Sequence, residues 1–375
     1  MRIWRAHVLW AALAVLSIGT TAAVAAAPPA GAVPSGSAGL SAVSCPRSSW
    51  CMAVGSYVDR SQVRHALALE WNGQTWRELR NPPGAVLKSV SCSSASFCMA
   101  RSGLAGRTEV WNGVTWRTIA NPTHAATAPS CGSRSLCMLI NGRGVAHSGS
   151  VVESWNGSRW RTWWQKTSLC PSSQGPCFMS DVSCGSATTC VAVGALTMTG
   201  GSEQVVIGLR WHRTKWGRFE FPLPFAGNPA AAYQVSCTTL CMAVGGAYSD
   251  AQTGDIAAAA TWDGKSTSWT DASPNLGVIT CGNHGYQPCG WTKSISCGSP
   301  TNCMALTFMH GNMVWNGTTW SAAPFAPAGT GAALGAVSCH RALCMAVGHT
   351  MAGGVRSTLA EIWNGAAWKV APTPR

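Results

Sequence analysis

Residues 43–55 read VSCPRSSWCMAVG, and residues 71–76 read WNGQTW. The first stretch places two cysteines six positions apart, ahead of a short apolar run that ends in glycine. The second places Asn-Gly between two tryptophans, and Asn-Gly favours a tight hairpin turn because both residues tolerate positive φ. Each stretch predicts a β-hairpin, so together they predict a unit of four antiparallel strands. In chain order, strand a runs into the first cysteine, b follows the second, c runs into the first tryptophan and d follows the second.

Both signatures recur along the chain. The cysteine signature occurs seven times, with first cysteines at 45, 92, 131, 184, 237, 297 and 339 and a mean period of 49 residues. A tryptophan pair follows each copy, beginning at Trp71, Trp111, Trp155, Trp211, Trp262, Trp315 and Trp363. Periods of about 40–50 residues are typical of stacked units such as propeller blades. Since no helical periodicity occurs, the sequence predicts an all-β fold, a disulfide-stapled seven-bladed β-propeller of four-stranded antiparallel blades.

Two other architectures share this period. A solenoid would also repeat every few tens of residues, but two hairpins per unit do not form a parallel coil. A pair of smaller propeller-like domains would need a linker between them, and no linker interrupts the seven copies.

The N-terminal segment predicts export. Two arginines precede an apolar stretch and then small residues, which is the pattern of a secretory signal peptide over residues 1–25. A flexible linker is expected at 26–38, and the propeller at 39–375. The predicted blades are about 39–84, 85–124, 125–178, 179–230, 231–291, 292–331 and 332–375. No later stretch approaches the roughly 20 apolar residues of a membrane-spanning helix, so we expect a secreted, extracellular protein without a membrane span.

The chain has 18 cysteines, and pairs persist in the oxidising compartment that an exported chain meets. Fourteen are expected to pair within the seven signatures: Cys45 with Cys51, Cys92 with Cys98, Cys131 with Cys137, Cys184 with Cys190, Cys237 with Cys241, Cys297 with Cys303, and Cys339 with Cys344. The others are expected to close two loops, Cys170 with Cys177 and Cys281 with Cys289. Metal ligation is the alternative, but the paired CxxC quartets of zinc sites are absent. We expect no metal and no cofactor.

Several polar residues recur with the repeat and therefore predict structural roles. A serine precedes each first cysteine: Ser44, Ser91, Ser130, Ser183, Ser236, Ser296 and Ser338. Seven nucleophiles make no chemical sense, whereas a hydrogen bond from each inner strand to the next blade does. Four glutamates accompany the first tryptophan of a pair, namely Glu70, Glu109, Glu153 and Glu361. The paired tryptophans themselves are expected to fill the space between blades.

Chain direction alternates within a blade, so the a–b and c–d turns share one face (the turn face) and the b–c and d–a loops share the other (the loop face). Variable loops on a rigid scaffold often carry function, and two d–a loops are enlarged. These loops carry the candidate ligand-binding residues Trp163, Trp164, Trp291 and Tyr286, and His284 and Arg159 are expected to supply polar contacts nearby. Tryptophan and tyrosine suit stacking on sugar rings or anchoring a protein partner. The alternative is that the rings pack under their own loops.

The net charge is +13, and loss of Arg2 and Arg5 with the signal peptide leaves about +11. Basic proteins favour anionic partners such as wall polymers, nucleic acid and acidic polysaccharides. The positive residues are scattered, however, and those after the second tryptophan would also protect the outer strand from pairing with another chain. Only 10% of residues are charged, which excludes a solvated disordered chain.

The combination of VSC, CMAVG and WNGxxW over the whole mature chain resembles a group of secreted bacterial repeat proteins that look like β-propellers. More distantly, the layout is similar to kelch and sialidase-type propellers, whose repeats also place glycine and tryptophan at a c–d turn. The resemblance implies the architecture and says little about activity. Repeat four departs from it, because WHRTKW lacks Asn-Gly, and repeats two, three and six lose the glycine after CMA or CML, so irregular blades are expected there.

We expect a non-catalytic binding or adhesion module that binds a carbohydrate or cell-surface polymer through the loop face. The alternatives are a protein–protein interaction scaffold and a glycan-active hydrolase or lyase. A sialidase-type site needs an arginine cluster, a tyrosine–glutamate pair and an acid, and none of the 13 acids and four tyrosines forms such a set. A copper oxidase needs clustered histidine and tyrosine, and the histidines are dispersed. We expect a monomer without a nucleic-acid partner.

Overall fold

A computed structural model describes residues 36–82, 86–102, 107–122, 128–141, 151–163, 177–197, 204–219, 230–248, 255–266, 268–276, 278–279, 291–308, 311–324 and 331–374. The predicted signal peptide and residues 26–35 of the predicted linker lie outside these ranges. Within these ranges, no helix is long and apolar enough to cross a membrane.

Seven antiparallel sheets follow one another along the chain, each with its strands in chain order. Blade 1 contains β1 (Ala38–Arg47), β2 (Trp50–Val58), β3 (Arg64–Trp71) and β4 (Trp76–Glu78). Blade 2 contains β5 (Ser89–Ser94), β6 (Phe97–Arg101), β7 (Thr108–Trp111) and β8 (Trp116–Ile119). Blade 3 contains β9 (Ser130–Ser133), β10 (Leu136–Asn141), β11 (Val151–Trp155) and β12 (Trp160–Trp163). Blade 4 contains β13 (Cys177–Cys184), β14 (Thr189–Thr197), β15 (Gln204–His212) and β16 (Lys215–Phe219).

The remaining blades continue the pattern. Blade 5 contains β17 (Ala230–Cys237), β18 (Cys241–Tyr248), β19 (Asp255–Trp262) and β20 (Thr270–Asp271), and β21 (Val278–Ile279) also pairs with β19. Blade 6 contains β22 (Thr292–Ser299), β23 (Asn302–Thr307), β24 (Met313–Trp315) and β25 (Trp320–Ala322). Blade 7 contains β26 (Ala333–His340), β27 (Leu343–Ala352), β28 (Val355–Trp363) and β29 (Trp368–Val370). The predicted seven-bladed β-propeller of four-stranded blades is confirmed.

Seven disulfides join strands a and b, one in each blade, as the sequence predicts. The pairs are Cys45–Cys51, Cys92–Cys98, Cys131–Cys137, Cys184–Cys190, Cys237–Cys241, Cys297–Cys303 and Cys339–Cys344. We call each of these disulfides a clip. Each spans six positions or fewer, and the entropy of closing so short a loop contributes roughly 2.4 kcal/mol per clip at most.

The other two predicted disulfides cannot be placed. Cys170, Cys281 and Cys289 lie outside the described residues, and Cys177 begins β13 without a described side chain. These two pairings stay predictions.

A row of side chains crosses each blade at the level of its clip. In blade 1, the second clip cysteine, Cys51, lies opposite Trp71 on strand c, and Trp71 lies opposite Trp76 on strand d. Six blades share this register, and their paired ring centroids lie 5.5–5.6 Å apart. The first tryptophan of every pair is at most 5% exposed. The predicted space-filling role of the tryptophans is therefore confirmed.

The serine before each clip bonds to the following blade. Ser44 Oγ accepts a hydrogen bond from the Cys92 N–H at 2.9 Å, and Ser91 Oγ accepts one from the Cys131 N–H at 2.9 Å. The series continues through Ser130, Ser183, Ser236 and Ser296 to the clip cysteine of the next blade. Ser338 of blade 7 completes it, because its Oγ accepts from the Cys45 N–H of blade 1 at 2.9 Å. We call these bonds the serine ring, and they confirm the predicted inter-blade role.

The propeller closes without a shared blade. Blade 1 takes all four strands from the start of the described chain, and blade 7 takes all four from its end. The sequence left two modes of closure open, and this one relies on packing between β1 and β26 together with the Ser338–Cys45 bond.

Glycine after CMAV permits a bulge on strand a. At Gly55, a Cβ atom would lie 2.0 Å from the carbonyl oxygen of Gly39. Any side chain at this position would therefore displace that carbonyl group. The ladder between β1 and β2 is irregular there, between Leu40 and Ala42. Blades 2 and 3 lack this glycine, and their inner strands have only 6 and 4 residues. The irregularity expected for these two blades takes the form of a shortened strand a. Blade 6 also lacks the glycine, but its strand a has eight residues and the same bulge, between Thr292 and Ser294, so the expectation of an irregular sixth blade is wrong.

Asp181 makes an additional inter-blade contact. Its Oδ2 accepts a hydrogen bond from the Val235 N–H of blade 5 at 3.0 Å, and its Oδ1 accepts one from the Val182 N–H at 2.8 Å. Burial raises the pKa of this carboxyl to about 7, against the lowering effect of both N–H donors. The protonated form is therefore more favoured in the folded chain than in the unfolded chain.

The serine ring yields a stability prediction. In Ser236→Ala, the buried Cys297 N–H loses its acceptor at 2.8 Å, and an unsatisfied buried donor costs about 1–3 kcal/mol. Urea unfolding should show a loss of this size. Ser321→Ala, at an exposed position of β25, is the control and should change stability by less than about 0.5 kcal/mol. Equal effects of the two substitutions would contradict a stabilising role for the ring.

Asp181 yields a pH prediction. A carboxyl with a raised pKa stabilises the fold most at low pH, and that contribution is lost as the pH rises through about 7. The difference in unfolding free energy between the wild type and Asp181→Asn should therefore fall between about pH 5 and pH 8. Urea unfolding of both proteins across this pH range measures the difference. The histidines titrate in both proteins, so their contributions cancel. A constant difference would show that the pKa is not raised.

Candidate binding cleft on the turn face

The turn face is strongly basic. Seven cations and one acid lie between the clip cysteines or between the paired tryptophans. The cations are Arg47, Arg134, Arg159, Arg213, Lys215, Lys265 and Arg341. The acid, Asp263, is already engaged, because its Oδ1 accepts hydrogen bonds from the Lys265 and Ser266 N–H groups at 2.8 Å. Both hydrogen bonds lower the pKa of the Asp263 carboxyl, and the bond from the Ser266 N–H has the larger effect.

A cleft of about 600 Å³ opens on this side of the molecule between blades 3 and 4. Its walls are formed by residues of the a–b turn of blade 3 and of the c–d turns of blades 3 and 4. Its floor is aromatic. The lining residues are Ser135, Leu136, Ser154, Trp155, Asn156, Arg159, Trp160, Arg161, Trp163, Trp211, Arg213 and Thr214. Three of them are arginines and none is acidic.

Arg159 is held at the edge of the cleft by the c–d turn of blade 3. Asn156 Oδ1 accepts hydrogen bonds from the Ser158 and Arg159 N–H groups at 3.0 and 2.9 Å. Gly157 supplies the positive φ, 97°, that the turn requires. The backbone of Arg159 is therefore fixed while its side chain stays exposed.

Arg161 stacks on Trp163. The guanidinium carbon lies 4.0 Å from the ring centroid, within the range of a cation–π contact. Trp163 is itself held in place, because its Nε1 donates to Ser154 Oγ at 2.9 Å and its ring meets Trp211 edge-on at 4.8 Å.

In blade 1, the arginine at the position equivalent to Arg161 forms an ion pair. Arg77 corresponds to Arg161, and its Nη2 lies 2.6 Å from an oxygen of Glu70 on the neighbouring strand. In blade 3 the residue opposite Arg161 is Ser154. Within the described part of the chain, no carboxylate is paired with the cations of the cleft.

Arg213 lies on the opposite wall in the c–d turn of blade 4. Its φ is 57°, in the left-handed region that favours glycine. The departure of WHRTKW from the WNGxxW pattern is explained here, because β15 and β16 are joined by a two-residue turn, Arg213 and Thr214.

The six predicted ligand-binding residues have different outcomes. Arg159 and Trp163 line the cleft together. Trp164, Tyr286 and His284 lie outside the described residues. Trp291 is in the core, only 2% exposed, where its Nε1 donates to the Ala258 carbonyl oxygen at 3.3 Å and its ring meets Trp320 edge-on. Trp291 is therefore a core residue that packs between blades 5 and 6, and we do not retain it as a ligand contact.

Trp163 belongs to the blade and not to the enlarged loop in which the sequence analysis placed it. It is the last residue of β12, three positions after Trp160. The equivalent residues in the other blades are Leu79, Ile119, Phe219, Ala272, Ala323 and Ala371. This recurring apolar position was the signal that could have placed Trp163 against the next blade. Sequence reasoning also missed Arg161 and Arg213, because it assigned function to the loop face.

The fold has solved counterparts of low sequence identity. The β-propeller domain of the Trilobed protease from Pyrococcus furiosus, described as an open velcro topology, matches at a TM-score of 0.57 with 8% identity, covering 90% of this chain and 96% of that one. Acylaminoacyl peptidase from Pyrococcus horikoshii matches at 0.55 with 8% identity, over 90% of this chain and 52% of that one. YCF48 from Cyanidioschyzon merolae matches at 0.49 with 12% identity, over 87% and 96%.

No family model matches the chain, and a comparison with curated proteins also finds no match. Identities this low show the fold alone. Fold and cleft together define a clip-stabilised seven-bladed propeller with a basic cleft between two blades.

Trp291 provides a stability test in place of a binding test. Trp291→Ala removes a buried ring and its hydrogen bond, so thermal or urea unfolding should show a loss of about 3–5 kcal/mol. Phe308→Ala is the control, since Phe308 is in the same blade but 60% exposed, and it should cost less than about 1 kcal/mol. Wild-type stability in the Trp291 variant would show that the ring is not part of the core.

Proposed function

We propose that the protein is a secreted, non-catalytic binding module whose ligand is a carbohydrate or cell-surface polymer that carries anionic groups. The main support is that the guanidinium of Arg161 lies over the Trp163 ring at 4.0 Å and has no carboxylate partner among the described residues. Seven described disulfides are consistent with an extracellular location.

The geometry suits an oxyanion. A guanidinium fixed against a ring keeps a planar fork of N–H donors that matches a carboxylate or a phosphate in a bidentate contact. Arg159 and Arg213 on the two walls add positive charge, and Ser135 and Thr214 add hydroxyl groups that suit sugar hydroxyls. A neutral sugar would leave the three cations unpaired, so we favour an acidic glycan or a phosphate-bearing wall polymer.

The proposal moves the site from the loop face to the turn face. The sequence favoured the loop face because its segments vary, but variation also occurs inside the turns, where cations are present in some repeats and absent from others.

The four glutamates that accompany the tryptophans favour binding over hydrolysis. Glu109, Glu153 and Glu361 are at most 1% exposed, so a glycan could not reach them. Glu70 is engaged by the Trp50 Nε1 donor at 2.9 Å and by Arg77. None of the four lines the cleft.

A direct binding experiment tests the proposal. Immobilised polygalacturonate and a poly(glycerol phosphate) should retain the mature protein, and neutral dextran should not. Arg161→Ala should weaken binding to the polymers that retain the wild type about tenfold, the loss expected for one charge-assisted contact. Binding should weaken as salt increases, because the contact is electrostatic. Arg117→Ala is the matched control, since Arg117 is exposed, follows the second tryptophan in the same way and lies outside the cleft.

The outcomes separate the alternatives. Equal losses from Arg161→Ala and Arg117→Ala would mean that overall charge, and not the cleft, holds the polymer. Equal retention on single-stranded DNA would exclude glycan specificity. Release of soluble fragments from the polymer would favour the hydrolase or lyase, and failure to bind either polymer would favour a protein partner.

A further inference from the structure

A second group of cations lies on the turn face at the junction of blades 7 and 1. We call Arg47, His340 and Arg341 the junction cluster. Arg341 is in the a–b turn of blade 7, Arg47 is at the end of strand a in blade 1, and both are exposed. Burial lowers the pKa of His340, and the charges of Arg341 and Arg47 lower it further. The hydrogen bond from Ser48 Oγ to the His340 carbonyl oxygen holds the two turns side by side, so both arginines lie at one blade boundary.

The backbone of the junction cluster is fixed by its neighbours. The Arg341 N–H donates to the Gly298 carbonyl oxygen at 2.8 Å, and the Arg341 carbonyl oxygen accepts from Asn302 Nδ2 at 2.7 Å. Ser48 Oγ of blade 1 donates to the His340 carbonyl oxygen at 3.3 Å. A Cβ on Gly298 would lie 2.2 Å from the Arg341 oxygen, so only glycine allows this approach. Three blades therefore hold the turn that carries Arg341.

Arginine occupies a conformation that glycine would adopt more readily at both sites. Arg341 has a φ of 56° and Arg213 of the cleft has a φ of 57°; Gln62 is the other described non-glycine residue with positive φ. Glycine takes the positive φ in six of the seven tryptophan turns. Strained backbone conformations are often found at functional sites, and the residue in this conformation is a cation both in the cleft and in the junction cluster.

The cleft and the junction cluster lie far apart in the ring order. The cleft is at the boundary of blades 3 and 4, and the junction is three boundaries away in one direction and four in the other. The residues between the clip cysteines are all described, and they contain no aspartate or glutamate in any of the seven blades. A negatively charged chain could cross this face from the rim to the inner turns without meeting a carboxylate in those turns.

We propose that one polyanionic chain occupies both the cleft and the junction cluster, so that the ligand is a long acidic polymer and not a short acidic sugar. This inference rests on the proposed function, because it assigns the cleft to the same polymer. Two sites on one chain give a gain from multivalency, since binding at the first raises the effective concentration of the chain at the second.

The first experiment varies ligand length. Titration calorimetry compares polygalacturonate with its trisaccharide, at equal concentration of uronate groups, and a poly(glycerol phosphate) with its trimer provides the phosphate arm. The polymer should bind at least tenfold more tightly per uronate group than the trisaccharide, which occupies only the cleft. Similar affinities for the two lengths would overturn the inference and leave the proposed function intact.

The second experiment uses a substitution that the fold should accept. Arg341→Gly removes the cation and relieves the left-handed conformation, while both backbone hydrogen bonds are kept. Polymer affinity should fall about tenfold, trisaccharide affinity should stay unchanged, and the melting temperature should be equal to or above that of the wild type. Gln62→Gly relieves the same conformation without a change of charge and should alter neither affinity.

The two variants and two lengths distinguish the possible failures. If Arg341→Gly binds the polymer as the wild type does, the junction cluster is not a binding site, even when the polymer binds more tightly than the trisaccharide. If Arg161→Ala leaves both lengths unaffected, the proposed function fails at the cleft. Loss of trisaccharide affinity in Arg341→Gly would place both arginines at one site and would also overturn the inference.

Discussion

The propeller depends on the hydrogen bond between each serine hydroxyl and the clip cysteine N–H of the next blade. An inner strand has a free edge at the centre of the ring, and its N–H groups need acceptors. Seven serines supply one acceptor per blade boundary, and the Ser338–Cys45 bond spans the chain from its last blade to its first. The clip fixes the strand that donates, so one short motif, Ser-Cys, couples the order within a blade to the order between blades.

Most of the fold was predictable because the repeat states each local requirement seven times. Spacing of the cysteines predicted the a–b hairpin, Asn-Gly predicted the c–d turn, and recurrence of the serine predicted its structural role. The Arg213 turn was not predictable, since nothing local indicates that an arginine will take the conformation of glycine. The mode of closure was also open, because the repeat signatures determine the order of the strands but not the strand with which the first sheet begins.

The site was less predictable than the fold because it is formed between repeats. Arg159 and Trp163 were candidates from the sequence, but Arg161 gains its role from Ser154, which replaces the glutamate opposite Arg77. That difference is visible only when strand register is known. Trp291 could not be distinguished from an exposed loop ring, since its burial depends on the neighbouring Trp320.

The clips also bear on how the chain acquires its disulfides. Every described cysteine pair is separated by six positions or fewer, so the correct partner is also the one that diffusion brings first. Closing a loop of about 10 residues takes tens of nanoseconds, whereas collapse of a chain of about 100 residues takes up to about 10–100 μs, so the two cysteines of one clip meet before distant repeats do. Oxidation can therefore proceed hairpin by hairpin, with little need for later reshuffling by an isomerase, and each finished blade offers a surface against which the next one packs.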